Sequence, residues 1–206
     1  MTTPLSWPIC EGLVVTDNES GQPHLAVMGP AISPDEANLT LRPFRTSTTY
    51  HHLQRKRHGV FHVTDDVELL VRAVTGECAE APKFERTPGG SGWLLPTACR
   101  WMEFEVTEID DSRQRSVMQA RVVSAQWLRN FFGFNRAKHA VIEGAILATR
   151  LGLLDAAYIH EELARLAPLV EKTGTEVEHR AFDLLREFVV KNTCETELGQ
   201  RVNVSR

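Results

Sequence analysis

The chain has 206 residues, 42% of them hydrophobic and 24% charged, with a formal net charge of -4. That balance is ordinary for a globular protein, and its sign gives no broad attraction to nucleic acid or an anionic membrane. No apolar run approaches the roughly 20 residues needed to cross a bilayer, and Cys10, Cys78, Cys99 and Cys194 are too scattered for a disulfide framework or a CxxC zinc site. The N-terminus shows no basic region followed by an apolar stretch, so the expectation is a cytoplasmic protein with reduced thiols.

The first 125 residues read mainly as strands. Runs at 11–16 and 24–28 flank a turn-rich 17–23 and predict a hairpin. Residues 38–42 alternate with period two and lead into the turn Arg42-Pro-Phe-Arg-Thr-Ser-Thr-Thr-Tyr50 and the start of a helix. A strand over 59–66 comes next, then a helix from Asp65 to Val74 with Asp65 or Asp66 as its N-cap. Beyond a glycine-rich loop at 88–92, a long hairpin has arms at 99–109 and 115–123. In its first arm Trp101, Glu103 and Glu105 share one face, and Met102, Phe104 and Val106 the other. Five to seven short strands with one interposed helix suit a closed or nearly closed barrel.

From about Ser124 the pattern turns helical. Asn135 is a natural N-cap for a helix stopped at Gly152, with Ala140, Leu147, Leu151 and Leu154 on one stripe. A second helix is predicted from Asp155 to Leu166, ending near Pro168. Thr175 and Glu178 form a capping box for a third, whose apolar face holds Val177, Ala181, Leu184, Leu185 and Phe188. The polar tail after Asn192 is expected to fray. The fold class is therefore mainly β with α (α+β): a barrel domain over 1–125 and a helical extension over 126–206, packed on the barrel or on a partner subunit.

Arg45 followed by Thr46, Ser47, Thr48 and Thr49 at a helix start offers a guanidinium fork, hydroxyls and free backbone N–H groups. That set suits the phosphate of a phosphorylated cofactor. The same run also reads as a turn that caps the helix, and no GxxxxGK[ST] or GxGxxG fingerprint decides between them. His51, His52, His58 and His62 lie close in sequence without a ligand pair on a clear helix, so no metal is expected. His24, His51 and His62 are candidates should a proton need to move. Arg136, Glu143 and Arg150, spaced by seven with His139 nearby, form either a salt-bridged outer face or a face turned to the barrel. In the second case Asn135 and Arg136 reach the cofactor's polar end. The Phe131-Phe-Gly-Phe134 segment packs in the core or on a flat ring.

Three pieces carry a family likeness: the 42–50 turn, the Gly-Val-Phe-His-Val-Thr-Asp-Asp strand at 59–66, and the Asn135-to-Glu143 helix continued through 148–151. With them the chain resembles, over about residues 10–190, a flavin-reductase-like family catalogued as domain of unknown function 447. The resemblance implies an FMN-binding split β-barrel with a C-terminal helical extension, and a homodimer with FMN near the subunit interface. It assigns the FMN phosphate to Arg45, Ser47 and Thr48, with Thr46 and Thr49 beside them. The 23–29 strand, His24 included, would run along the isoalloxazine. His62 stands where relatives more often carry asparagine, which leaves open whether it touches flavin or orients a loop. The expected function is an FMN-dependent oxidoreductase that takes electrons from a reduced nicotinamide or delivers them to a small cytosolic substrate. The alternative is a non-catalytic FMN-binding or partner-recognition module. Single-stranded nucleic-acid binding is opposed by the acidic charge and the lack of a basic-aromatic stripe.

Overall fold

The computed structural model describes residues 7–77 and 81–203, with side chains to residue 193, so Cys78 and the Cys194 thiol lie outside the described residues. By its contacts the chain forms two compact units, one of residues 1–65 and 80–131, the other of 66–79 and 132–206.

The first unit holds β1 (Gly12–Asp17), β2 (Pro23–Met28), β3 (Ala31–Ile32), β4 (Asn38–Leu41), α1 (Thr48–Lys56), β5 (His58–Val63), β6 (Glu85–Arg86), β7 (Trp93–Leu94), β8 (Arg100–Asp110) and β9 (Val117–Trp127). Seven strands form one antiparallel sheet in the order β2-β1-β5-β8-β9-β4-β3, and β6 pairs with β7. The two edge strands, β2 and β3, are consecutive in the chain and joined only through Gly29 and Pro30. The sheet therefore curls on itself with a split between its edges.

Local chemistry explains the first hairpin. Asn18 Oδ1 accepts from the N–H of Ser20 (2.9 Å), the hydroxyl of Ser20 (2.8 Å) and the N–H of Gln22 (2.9 Å), and Gly21 takes a φ of +76°. This is an Asx turn closed by the residue type that accepts a left-handed backbone. Period-two alternation then sorts β8: Met102, Phe104 and Val106 enter the core with Val14, Leu39, Leu41, Phe61 and Met118. On its other face Trp101 packs with Val60 and Leu94, and Glu103 is also buried, while Glu105 is exposed. The β8–β9 register shifts between Glu103 and Phe104 and again between Val106 and Glu108.

The second unit is helical: α2 (Val67–Thr75), α3 (Arg136–Ala148), α4 (Ala156–Thr173) and α5 (Glu176–Asn203). Asp66 caps α2 by accepting from Leu69 N–H (3.0 Å), and α2 packs with α3 and α5. Asn135 caps α3 as expected. That helix ends at Ala148, four residues short of Gly152, and its buried stripe is Ala137, Ala140, Val141, Gly144, Ala145 and Ala148 rather than the leucines. Small residues at heptad spacing let α4 and α5 approach closely: a Cβ on Gly144 would stand 3.1 Å from both Leu163 and Leu185. The capping box forms as its spacing requires, with Glu178 Oε2 accepting from both the N–H (2.8 Å) and the hydroxyl (2.6 Å) of Thr175.

One expectation fails here: α4 runs through Pro168 to Thr173. Pro168 is exposed, so its ring faces no core neighbour, and the helix tolerates the lost N–H bond because Ile159, Leu163 and Val170 anchor it on both sides. Pro168→Ala is expected to stabilise the protein by about 1–3 kcal/mol, read as a higher midpoint in urea; a lower midpoint would show that the proline shapes the helix.

Candidate functional site

The turn before α1 is fixed from two directions. Ser47 adopts extended backbone angles and its Oγ accepts from Tyr50 N–H (3.2 Å), which makes it the N-cap. Behind it, the turn is seated on the tip of the β8–β9 hairpin. Ser116 N–H donates to Pro43 O (3.0 Å), Arg45 Nη1 donates to Asp111 O (3.2 Å), and the Tyr50 hydroxyl donates to Asp111 Oδ2 (2.8 Å). The Arg115 guanidinium lies 4.1 Å from the centre of the Phe44 ring. The nearby Ser116 and Tyr50 hydroxyls, with Arg45, hold the Asp111 carboxyl below its usual range.

The five members of the predicted cradle thus differ in what they have left to offer. Ser47 Oγ is committed to the cap, and Thr49 is buried. Thr46 and Thr48 are exposed, and the first-turn N–H groups of Thr48 and Thr49 point out of the helix end. Arg45 is exposed, its Nη1 donates to the Asp111 carbonyl, and its charge also acts on the Asp111 carboxyl. An arginine fork, two outward hydroxyls and two free N–H groups at a helix N-terminus fit a phosphate dianion.

Thr48, His51, His52 and Arg55 of α1 line a groove of about 680 Å³ with Asn18, Glu19 and Ser20 of the β1–β2 turn. Lys56 Nζ meets Asp17 Oδ2 at 3.0 Å and Arg55 meets Glu19 at 3.5 Å across the same junction. His24, on β2, does not stand alone: its ring packs edge-on against His52, with centroids 5.1 Å apart, and His52 Nδ1 lies 2.9 Å from Thr16 Oγ1.

His62 is fully buried. Its Nε2 accepts from Leu95 N–H (3.1 Å), and burial pushes its pKa down to about 4 against a smaller upward pull from the carbonyls of Leu13 and Val60. That bond ties β5 to the Leu95 backbone. A second anchor gave no motif in the sequence. Buried Glu103 Oε1 accepts from His58 Nε2 (2.8 Å), Ser91 Oγ (2.6 Å) and Thr87 Oγ1 (3.3 Å), which pins the 87–92 loop. Glycine is required at 92, where a Cβ would fall 2.5 Å from Val60 Cγ2. Trp93 then carries the restraint onward, donating from Nε1 to Gly21 O (3.2 Å) in the β1–β2 turn.

Asn135 and Arg136 belong to the helical unit. The Asn135 side chain is used at both ends, accepting from Lys138 N–H (3.0 Å) and donating to Thr173 O (3.1 Å). Arg136, His139, Glu143 and Arg150 are all exposed. The expected core packing of the aromatic segment is not found: Phe131, Phe132 and Phe134 are exposed, Phe132 by 75%. Val123, Trp127 and Leu128 before them are exposed as well.

The curled sheet, the hydroxyl-bearing turn and the capped helix together define a split barrel of the flavin-reductase type. The structure is similar to a flavin reductase domain protein from Arthrobacter sp. FB24, with a TM-score of 0.51 and 20% identity over 59% of this chain and 79% of that one. It is also similar to the styrene monooxygenase flavin reductase of Pseudomonas putida S12, with a TM-score of 0.50 and 16% identity over 59% and 82%. The chain belongs to the family described as Protein of unknown function (DUF447), whose N-terminal domain matches residues 10–129 and whose second domain matches residues 135–187. It is similar along most of its length to an FMN-bound protein of that family from Methanosarcina mazei, with a TM-score of 0.77 and 23% identity over 89% of this chain and 96% of that one. No curated protein matches it. No helix among the described residues is long and apolar enough to cross a membrane.

Proposed function

We propose that the protein binds FMN and acts as a flavin-dependent oxidoreductase on a small substrate, drawing electrons from a reduced nicotinamide nucleotide. The observation that carries this reading is the exposed Arg45 beside the capped end of α1, in a fold shared with a flavin-bound member of the same family. Arg45, the Thr46 and Thr48 hydroxyls and the first-turn N–H groups would hold the phosphate, with Ser47 and Thr49 shaping the helix end. Bound flavin would supply the redox chemistry, and the chain its orientation and electrostatics. A homodimer would cover the exposed Val123, Trp127, Leu128 and Phe131, since exposed large apolar side chains close together in sequence suit an interface. The free thiols of Cys10 and Cys99 support a cytoplasmic setting.

The visible spectrum of the purified protein with added FMN tests the cofactor. A colourless protein that takes up none would refute it. Arg45→Ala is expected to weaken FMN binding by about 1.5–3 kcal/mol, roughly ten- to hundredfold in Kd, because it removes charge-assisted hydrogen bonds. Arg55→Ala should change Kd much less, and equal losses would remove Arg45 from the phosphate site. Anaerobic mixing with reduced nicotinamides then tests the enzyme. Failure to bleach the flavin would favour a non-catalytic partner-recognition module, a reading supported by the exposed Leu153 and Tyr158 of the helical unit.

A further inference from the structure

The junction between α1 and the β1–β2 hairpin is built around two imidazoles. His24 projects from β2 and His52 from α1, and their rings meet at 88° with centroids 5.1 Å apart. His52 is buried and its Nδ1 is tied to the buried Thr16 hydroxyl of β1. Three elements therefore converge on one ring pair, four residues along α1 from Thr48. Such packing suits two neutral rings, or one neutral and one charged, because an edge-on imidazole tolerates a single cation against its face. Two cationic rings at this distance repel.

We propose that the His24–His52 pair is an acid-released latch, which ties α1 to the β1–β2 hairpin while at most one ring is protonated and frees the N-terminal turn of α1 when both are. The charged and titratable groups around it are Asp17 of β1, Glu19 of the turn, and His51, Arg55 and Lys56 of α1. Asp17 and Glu19 pull the His52 pKa up, yet burial, His24 and Arg55 outweigh them, and its pKa is lowered. Burial alone lowers that of His24. A base whose pKa is lowered by folding leaves stability intact above its ordinary value near 6.5 and loses it as the pH falls below that. The latch accordingly holds at neutral pH and opens on mild acidification. Because Thr48 opens α1 and the Arg45–Thr46 turn leads directly into it, release of the helix would loosen the phosphate hold, and this consequence rests on the FMN reading above.

Two measurements at pH 7.5 and 5.5 test the latch, using the intact protein and His24→Phe, which keeps the edge-on ring contact without a second charge. The first is amide hydrogen exchange, corrected for the intrinsic pH effect. Protection of residues 49–56 is expected to fall about tenfold at pH 5.5 in the native protein and to be pH-independent in His24→Phe, with β5 as the control for global loosening. Equal loss in both proteins, or no loss in either, would overturn the latch. The second is FMN affinity by fluorescence quenching. The phosphate itself gains a proton near pH 6, so the variant supplies the reference: the native protein should lose severalfold more affinity on acidification than His24→Phe. Identical losses, or tighter native binding at pH 5.5, would sever the latch from the cofactor site. Absence of FMN binding at pH 7.5 would sink the cofactor reading alone and leave the exchange experiment to decide the latch.

Discussion

Exchanging Glu178 for glutamine is expected to cost about 3 kcal/mol of stability at pH 7 and progressively less in acid. Its carboxyl is buried in the helical unit, where burial pulls the pKa up, but the Thr175 hydroxyl and N–H and the Lys138 ammonium at 2.9 Å outweigh burial and hold it at about 2. A carboxyl held 2.5 pH units below the ordinary 4.5 contributes roughly 3 kcal/mol, at about 1.4 kcal/mol per unit. The sign follows from the direction of the shift. The contribution is complete above pH 4.5, where both folded and unfolded carboxyls are ionised, and drains away as the pH falls toward 2. Glutamine still accepts from Thr175 but leaves the largely buried Lys138 without this counter-charge, and removing one partner of a buried pair is among the costlier single changes. Urea unfolding of both proteins at pH 7 and pH 3 would read it. A gap of the same size at the two pH values would mean that the ionised carboxylate is not what stabilises α5 against α3.

His62 should produce an acid sensitivity of the same sign, over a different window. Its folded pKa of about 4 lies below the ordinary 6.5, so the neutral ring costs nothing above pH 6.5. Between pH 6.5 and 4 the unfolded chain takes up a proton that the folded ring refuses, which amounts to about 3 kcal/mol lost. His62→Gln keeps an acceptor within reach of Leu95 N–H and cannot titrate. It is expected to be moderately less stable than the native protein at pH 7.5 and to overtake it near pH 4. Parallel stability curves for the two proteins across this range would show that His62 is not the group responsible. The windows of Glu178 and His62 barely overlap, so the two effects can be measured in one pH series.

The parts of the fold that were legible in the sequence are those governed by neighbours within four or five residues. Asn18 and Gly21 announced the first turn, Asp66 and Asn135 their helices, and the Thr175–Glu178 box the start of α5. In each case the side chain acts on backbone groups of its own segment. What stayed hidden was decided at a distance. β3, β6 and β7 have two residues each, too few for any period to show, and exist only through their pairing. The α3 stripe was misjudged because leucines outrank alanines in hydrophobicity, whereas close helix packing selected the small residues. Pro168 was taken as a terminator, since sequence alone does not show that its ring would face outward.

The candidate site divides along the same line. The Arg45-to-Thr49 run was visible as a cradle or a cap, and Ser47 indeed caps, while Arg45 stays exposed beside the helix end. The supports of that run were not visible. Asp111 lies 61 residues from Tyr50, and Glu103 gathers donors from positions 12, 16 and 45 residues away. No spacing rule links residues so far apart; only the antiparallel register does.

Hairpin tips are where proteins ordinarily absorb insertions, affinity tags and length variation without harm. The β8–β9 tip is a poor choice for any of these. Its Asp111 side chain holds Tyr50 and its Asp111 carbonyl holds Arg45, and two register shifts along the arms set which residue arrives at that point. Adding or deleting a single residue between either shift and the tip would present Asp110 or Ser112 in its place, with the side chain turned to the opposite face. Length in this hairpin is therefore part of the specification of α1, and an engineer seeking a permissive insertion point should look elsewhere on the chain.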